Sequence, residues 1–196
     1  MLDTDSKKYA ILILAAGSSS RLGRPKQLIK FGKGNLLSNT IDIVSSIDNA
    51  DVHIILGAYA EEILAKIDTS YPIHINPNWV RGMGNSISFA VDQIKHIEYD
   101  ALILTVCDQP YLEASHFVQL IELYEADSEA EIIISKYEFG GGPPSLFSRK
   151  YFDQLSNLDG EEGAKSVVTS FKEKNQHIHF DKGHIDIDTE EDLLSL

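Results

Sequence analysis

Residues Tyr9–Ala15 form an unbroken apolar run that ends on Ala16 and is followed at once by a glycine, three serines and an arginine. A strand that is apolar at every position needs cover on both faces, which a sheet with one wet side does not provide. Further apolar segments at 52–56, Ile73–Ile75, Ala101–Val106, 131–135 and 177–180 read as strands of the same kind. Between them apolar residues return at helical spacing: Leu37, Ile41, Val44 and Ile47; Ile63, Leu64 and Ile67; Ile87, Ala90, Val91 and Ile94; Phe117, Leu120, Ile121 and Tyr124. This alternation predicts an α/β chain built on a mainly parallel sheet with helices on both sides. A length of 196 residues suits one such domain, residues 1–196, and neither a repeat nor a convincing linker divides it. The segment 137–145, carrying Gly140-Gly141-Gly142-Pro143-Pro144, interrupts the rhythm and reads as a loop or an inserted hairpin whose glycines allow close approach of a ligand.

Several classes fall away. The longest apolar run, residues 10–16, is far shorter than the roughly 20 residues of a membrane span. The acidic opening of residues 1–5 has no apolar stretch of a secretory leader. A single cysteine, Cys107, allows no internal disulfide and no Cys-based zinc cage, which points to a reducing, cytoplasmic setting. The net charge of −13 argues against sequence-independent binding to nucleic acid or an anionic membrane. Yet residues 6–41 contain no acid and hold Lys7, Lys8, Arg21, Arg24, Lys26, Lys30 and Lys33. Such a segment either faces a small anion such as phosphate or is a chance cluster of solvated bases.

In parallel sheets ligands collect at the carboxyl ends of the strands, so the residues after each strand carry the functional reading. After the first comes Ala15-Ala16-Gly17-Ser18-Ser19-Ser20-Arg21-Leu22-Gly23-Arg24-Pro25-Lys26-Gln27. Small residues let backbone amides face an anion, the hydroxyls add donors, and Arg21 and Lys26 bring full charge. Gly23 is followed by Arg-Pro-Lys, so this is not a P-loop, and the glycine spacing is not that of a dinucleotide fingerprint. Asp108 follows Ala101–Val106 and suits a Mg2+ ligand or an ordinary turn or cap aspartate. Asp186 and Asp188 share one face of an extended segment. Asp188 or Thr189 is placed to cap a closing helix whose first turn holds Glu190, Glu191 and Asp192, so the capping role falls to Asp188. Histidines 177, 179 and 184 are spaced too loosely to argue for zinc. No nucleophile motif supports covalent catalysis.

The run from Leu14 to Leu28 resembles the signature loop of nucleotidyltransferases that join an NTP to an acceptor phosphate, and within them the molybdenum-cofactor cytidylyltransferase branch. The resemblance continues in order through Gly82-Met83-Gly84-Asn85-Ser86-Ile87, Cys107-Asp108-Gln109-Pro110, Gly142-Pro143-Pro144-Ser145-Leu146-Phe147, Gly160-Glu161-Glu162-Gly163-Ala164 and Asp186-Ile187-Asp188-Thr189-Glu190-Glu191-Asp192-Leu193. It implies a three-layer αβα nucleotidyltransferase fold, Rossmann-like, and transfer of CMP from CTP to the phosphate of molybdopterin cofactor with release of pyrophosphate. It implies Mg2+ held by Asp108 and Asp186, although relatives often carry asparagine at the second position. Arg21, Lys26 and Asp108 take the catalytic roles. Ala15, Ala16, Gly17, Ser18, Ser19, Ser20, Gly57, Gly82, Met83 and Ser86 are expected around the nucleotide, with Gly57 equally suited to a simple turn. Gly141, Gly142, Pro143 and Ser145 are expected at the acceptor. Cytidylyl-transferring relatives carry Ala-Ala-Gly where guanylyl-transferring ones carry Ala-Gly-Gly, and Ala15-Ala16-Gly17 follows the first pattern. Two other readings stand beside this one. One is transfer to a sugar or polyol phosphate; the other is a non-catalytic accessory protein that hands molybdenum cofactor to a molybdenum hydroxylase, the enzyme class with which contact is expected.

Overall fold

The computed structural model describes residues 6–194; the acidic opening read above as lacking a leader lies outside them. Strand β1 (Tyr9–Ala15) is followed by a long turn, a hairpin of β2 (Lys30–Phe31) and β3 (Gly34–Asn35), and helix α1 (Leu36–Val44). Then come β4 (Ala50–Leu56), α2 (Ala60–Leu64), β5 (Ile73–Ile75), α3 (Met83–Ile94), β6 (Ala101–Val106) and α4 (Ala114–Ala126). The second half holds β7 (Ile132–Lys136), β8 (Gly141–Ser148), α5 (Phe152–Ser156), α6 (Lys165–Ser170), β9 (Asn175–His179) and α7 (Glu190–Leu194).

Seven strands form one sheet in the order β5-β4-β1-β6-β8-β7-β9. β1 lies centrally, with Tyr9 opposite Ala50 of β4 and Ala101 of β6, both neighbours parallel. Only β8 runs against its neighbours β6 and β7. The uniform apolarity of β1 is explained by the two layers it divides. Tyr9, Ile11, Ile13 and Ala15 pack with Leu37 and Ile41 of α1, Ile63 of α2 and Phe117 and Leu120 of α4. Ala10, Leu12 and Leu14 pack on the other face with Ile87, Val91 and Ile94 of α3, Phe152 and Leu155 of α5 and Val167 of α6. Each large aliphatic side chain so buried contributes about 1.5–3 kcal/mol.

The segment 137–145 resolves as the hairpin, with Tyr137 N–H donating to Gly140 O at 3.1 Å and β8 beginning at Gly141. Gly140 takes φ +87°, a conformation that glycine enters without steric cost. A third, smaller cluster joins Leu22 and Ile29 of the post-β1 turn to Leu36 and to Ile187 near the C-terminus. It fastens the segment around Ile187 beneath the β1 turn. Among the described residues no helix is long and apolar enough to cross a membrane.

Candidate functional site

The turn after β1 is held from inside by Gln27, whose side chain is 1% exposed. Its Nε2 donates to Ala15 O at 2.7 Å and Gly17 O at 3.2 Å. Because a trans peptide points its carbonyl and the next N–H in opposite directions, fixing Gly17 O inward turns the Ser18 N–H outward. Ser19, at φ +51°, accepts the N–H groups of Leu22 and Gly23 on its carbonyl, and the Lys26 N–H on its hydroxyl at 3.1 Å. Gln27 was absent from the sequence-based site; its neighbour Lys26 was the signal beside it.

Lys26 stands at the centre of a charge network. Its Nζ lies 2.5 Å from Asp108 Oδ2 and 2.6 Å from Asp188 Oδ1, and Arg21 Nη1 reaches Asp188 Oδ2 at 2.9 Å. Burial works against the Lys26 ammonium, but the charge and hydrogen bond of Asp108, and then those of Asp188, hold its pKa well above the usual lysine value. The Ile187 N–H donates to Asp108 O at 3.0 Å, which brings the C-terminal segment to the end of β6. Here the structure corrects the division made from spacing. Asp188 is not the helix cap but a partner of both bases. Thr189 caps α7, accepting from Asp192 N–H at 3.3 Å while Asp192 Oδ2 accepts the Thr189 N–H at 2.7 Å. Asp186 has its pKa raised by partial burial first, then by the charges of Asp188 and Asp108. Cys107, just before Asp108, is a buried core residue whose thiol is pushed up to about 12 by burial.

Three cavities run side by side along the carboxyl ends of the strands. The first, about 310 Å³, is walled by Ala16, Gly17, Ser18, Trp79, Gly82, Met83, Ser86 and Glu161. The second, about 230 Å³, lies over residues 17–21 with Lys26 and Asp188. The third, about 460 Å³, holds Asp108, Asp186, Gln109, Tyr137, Phe139, Gly141, Pro143 and His184, and Met83 borders it as well as the first. Most of the residues expected from sequence therefore meet in one place. Four line none of these cavities. Ala15 is 2% exposed and faces the α1 side of the core. Gly57 is a close-packing position, since a Cβ there would stand 2.5 Å from Trp79 Cβ and 2.8 Å from Ala16 O. Gly142 packs under Tyr137, with only 2.8 Å from a built Cβ to its hydroxyl. The Ser145 hydroxyl, within β8, donates to Gly142 O at 2.6 Å. Trp79, Tyr137 and Phe139 carry no motif that the sequence pattern exposes, and His184, considered there only for zinc, lines the third cavity.

The donor set suits a hard divalent cation. Asp108 and Asp186 border one cavity, and the pKa of Asp186 is raised by burial first and then by the charges of Asp188 and Asp108. Among the described residues no group of three or more His, Cys, Asp or Glu is arranged as a closed cage, so a cation here needs oxygen ligands from elsewhere. Mg2+ commonly takes one or two carboxylates and completes its shell with water and phosphate.

An open α/β sheet with small-residue turns, paired bases and carboxylates at its carboxyl edge defines a nucleotide-handling protein. The chain belongs to the MobA-like NTP transferase family, whose domain model matches residues 11–177. It is 26% identical over 170 residues to the purine catabolism protein PucB of Bacillus subtilis, covering 81% of this chain and 80% of that one. It is 33% identical over 123 residues to nicotine blue oxidoreductase of Paenarthrobacter nicotinovorans, covering 62% and 59%. It is 27% identical over 127 residues to a Bacillus cereus protein named "Probable molybdenum cofactor guanylyltransferase", covering 65% and 62%. Among solved structures it is similar to Rv0371c of Mycobacterium tuberculosis, at 27% identity and a TM-score of 0.86 over 98% of both chains. Rv0371c has also been crystallised with manganese. The three-layer nucleotidyltransferase fold expected from the signature loop is the fold observed.

Proposed function

We propose that the chain, as one domain over residues 1–196, transfers CMP from CTP to the phosphate of molybdopterin cofactor, releasing pyrophosphate. The observation that carries this reading is Lys26, held between Asp108 and Asp188 in the cavity over the serine turn. The base occupies the first cavity, the phosphates the second and the acceptor the third. Triphosphate oxygens take the places at Lys26 and Arg21 that Asp188 oxygens hold in the free protein. The outward Ser18 N–H adds a donor to the same anion. The acceptor phosphate is already anionic and attacks the α-phosphorus in line, so the protein need supply no general base. Its tasks are to hold two polyanions in register and to stabilise charge on the departing pyrophosphate. Asp108 and Asp186 would hold Mg2+, which when bound supplies electrophilic stabilisation of phosphate charge. Gly141 and Pro143 of the β7–β8 hairpin, with Phe139, form the acceptor wall.

CTP is preferred in this reading over GTP because Ala16 lines the base cavity, where a methyl in place of the glycine of guanylyl-transferring relatives leaves less room for a purine. The acceptor rests on the molybdenum-cofactor relative and on the Cys107-Asp108-Gln109-Pro110 motif. A molybdenum hydroxylase in the cytoplasm is the recipient that such a product implies. The test is pyrophosphate release with CTP, GTP, ATP and UTP against molybdopterin cofactor and against sugar and polyol phosphates. Turnover with CTP and the cofactor is the expected result; turnover with another acceptor or nucleotide alone overturns the corresponding half of the reading.

A further inference from the structure

The first cavity is lined by two polar groups, a hydroxyl with a proton to give and a carboxylate that only accepts. Asn76 is 1% exposed. Its Oδ1 accepts the Asn78 N–H at 2.9 Å, which orients the carboxamide and leaves Nδ2 to donate to Ser86 Oγ at 3.2 Å. That bond takes one of the two lone pairs of the Ser86 oxygen, and among the described residues the Ser86 proton has no acceptor. Ser86 is 4% exposed and lines the cavity, so it presents a donor there.

Glu161 lines the same cavity and brings the opposite sense, an acceptor that donates nothing. Its position is set by close packing against the start of α3. Gly84 N–H donates to Gly160 O at 2.7 Å, and Arg81 pairs with Asp159 at 2.5 Å. Gly82 sits at φ +102°, where a Cβ would stand 2.5 Å from Gly160 O and 2.9 Å from Glu161 Cδ. The turn 159–161 therefore lies directly on the 81–84 turn, and the carboxyl group rests over Gly82 at the cavity wall. Among the described residues Glu161 has no hydrogen-bond or ion-pair partner.

We propose that Glu161, with the Asn76-oriented Ser86 hydroxyl, reads the nucleobase as an acceptor and donor pair and so selects an exocyclic amine beside a ring acceptor. Cytosine offers that pair in its N4 amine and N3 lone pair. Uracil reverses both, with a carbonyl in place of the amine and an N–H in place of the lone pair. Adenine repeats the cytosine pattern on a larger ring, and ring size is the concern of Ala16. A carboxylate near a triphosphate also repels it, so absolute affinity mixes two effects, whereas the ratio of two triphosphates cancels the repulsion and isolates the base.

This inference deepens the cytidylyl reading and rests on it, and the experiment separates the two. Equilibrium binding of CTP, UTP and GTP, each with Mg2+ and without acceptor, is measured for the unaltered protein, Glu161→Gln and Ser86→Ala. A carboxamide can turn its N–H2 to the uracil carbonyl, so Glu161→Gln is expected to lower the CTP-to-UTP affinity ratio by on the order of tenfold, with an unchanged melting temperature. Ser86→Ala lowers it in the same direction. Tightest binding of GTP by the unaltered protein overturns the cytidylyl reading alone. A CTP-to-UTP ratio near one before mutation, or an equal rise in affinity for both nucleotides in Glu161→Gln, overturns the role of Glu161.

Discussion

Lys26 satisfies two carboxylates in the free protein, and its removal leaves Asp108, Asp186 and Asp188 facing one another with Arg21 as the remaining partner in the network. Lys26→Ala is therefore expected to lower turnover by about 10²-fold or more, by analogy with the loss of one preorganised donor to developing charge. Steady-state kinetics decide it: near-native turnover would remove Lys26 from the phosphate site. At this scale the sequence was informative where a motif is local. Arg21 and Lys26 lie within one turn of chain, and both line the cavity over the serine turn. Asp188 was assigned to the wrong partner because its true one is Lys26, 162 residues away. Alternation along an extended segment says which residues share a face, but not what stands opposite that face. Gln27 escaped for a different reason, since its function lies in two backbone carbonyls that no side-chain pattern records.

Long elements were legible and short ones were not. The buried strands β1 and β6 and the amphipathic helices α1, α3 and α4 each repeat their pattern often enough to be read. The five- and six-residue helices α5 and α6 complete too few turns to show a period. β8 was concealed by its glycines and prolines, and it became a strand because pairing with both β6 and β7 satisfies its backbone. At the far edge of the sheet, β4 and β5 carry a polar pair inside otherwise apolar strands. His53 Nδ1 lies 3.1 Å from His74 Nε2, and His53 Nε2 lies 3.2 Å from the Tyr99 hydroxyl, which donates to Asp51. Burial lowers the pKa of both histidines, and for His53 the charge of His74 lowers it further. Unfolding raises each to about 6.5, so below that pH the unfolded chain binds protons that the folded one does not. Stability is thus complete above about pH 6.5 and falls as the pH drops toward the folded values. The slope is at most about 1.4 kcal/mol per pH unit for each histidine. His116, lowered chiefly by burial, adds to the same trend. Urea unfolding from pH 7.5 to 5 is expected to show the loss, and His74→Gln, which keeps a polar hydrogen-bonding group but does not titrate, should flatten it. Equal slopes in both proteins would remove the pair as the source.

Across the whole molecule, the three bases of segment 6–41 that flank the serine turn do not present bare positive charge, although Lys8, Lys30 and Lys33 stay exposed. Arg21 and Lys26 meet Asp188, Lys26 also meets Asp108, and Arg24 meets Glu190 at 2.8 Å. An acidic chain has thus returned carboxylates from the end of β6 and from the C-terminal segment to its longest acid-free stretch, and Arg21, Arg24 and Lys26 are paired before any ligand arrives. A nucleotide triphosphate that takes Lys26 and Arg21 strips Asp108 and Asp188 of their partners, beside an Asp186 whose pKa burial and those same two charges already raise. Uncompensated carboxylates at short range are costly, and a divalent cation removes that cost. Nucleotide and cation are therefore expected to bind together, each raising the affinity of the other. The bound pair would tie the β1 turn, the end of β6 and the C-terminal segment into one unit, so the effect is read in global stability. At a ligand concentration about 100 times the dissociation constant the gain is roughly 2.7 kcal/mol, which for a chain of this size raises the melting temperature by roughly 5–10 °C. CTP with Mg2+ should produce a shift larger than the sum of the shifts from CTP with EDTA and from Mg2+ alone. Asp108→Asn should lose the excess while retaining the shift due to CTP by itself. Additive shifts in the unaltered protein would mean that the carboxylates do not need the cation once their bases are taken, and the metal would then have to be placed away from Asp108 and Asp186.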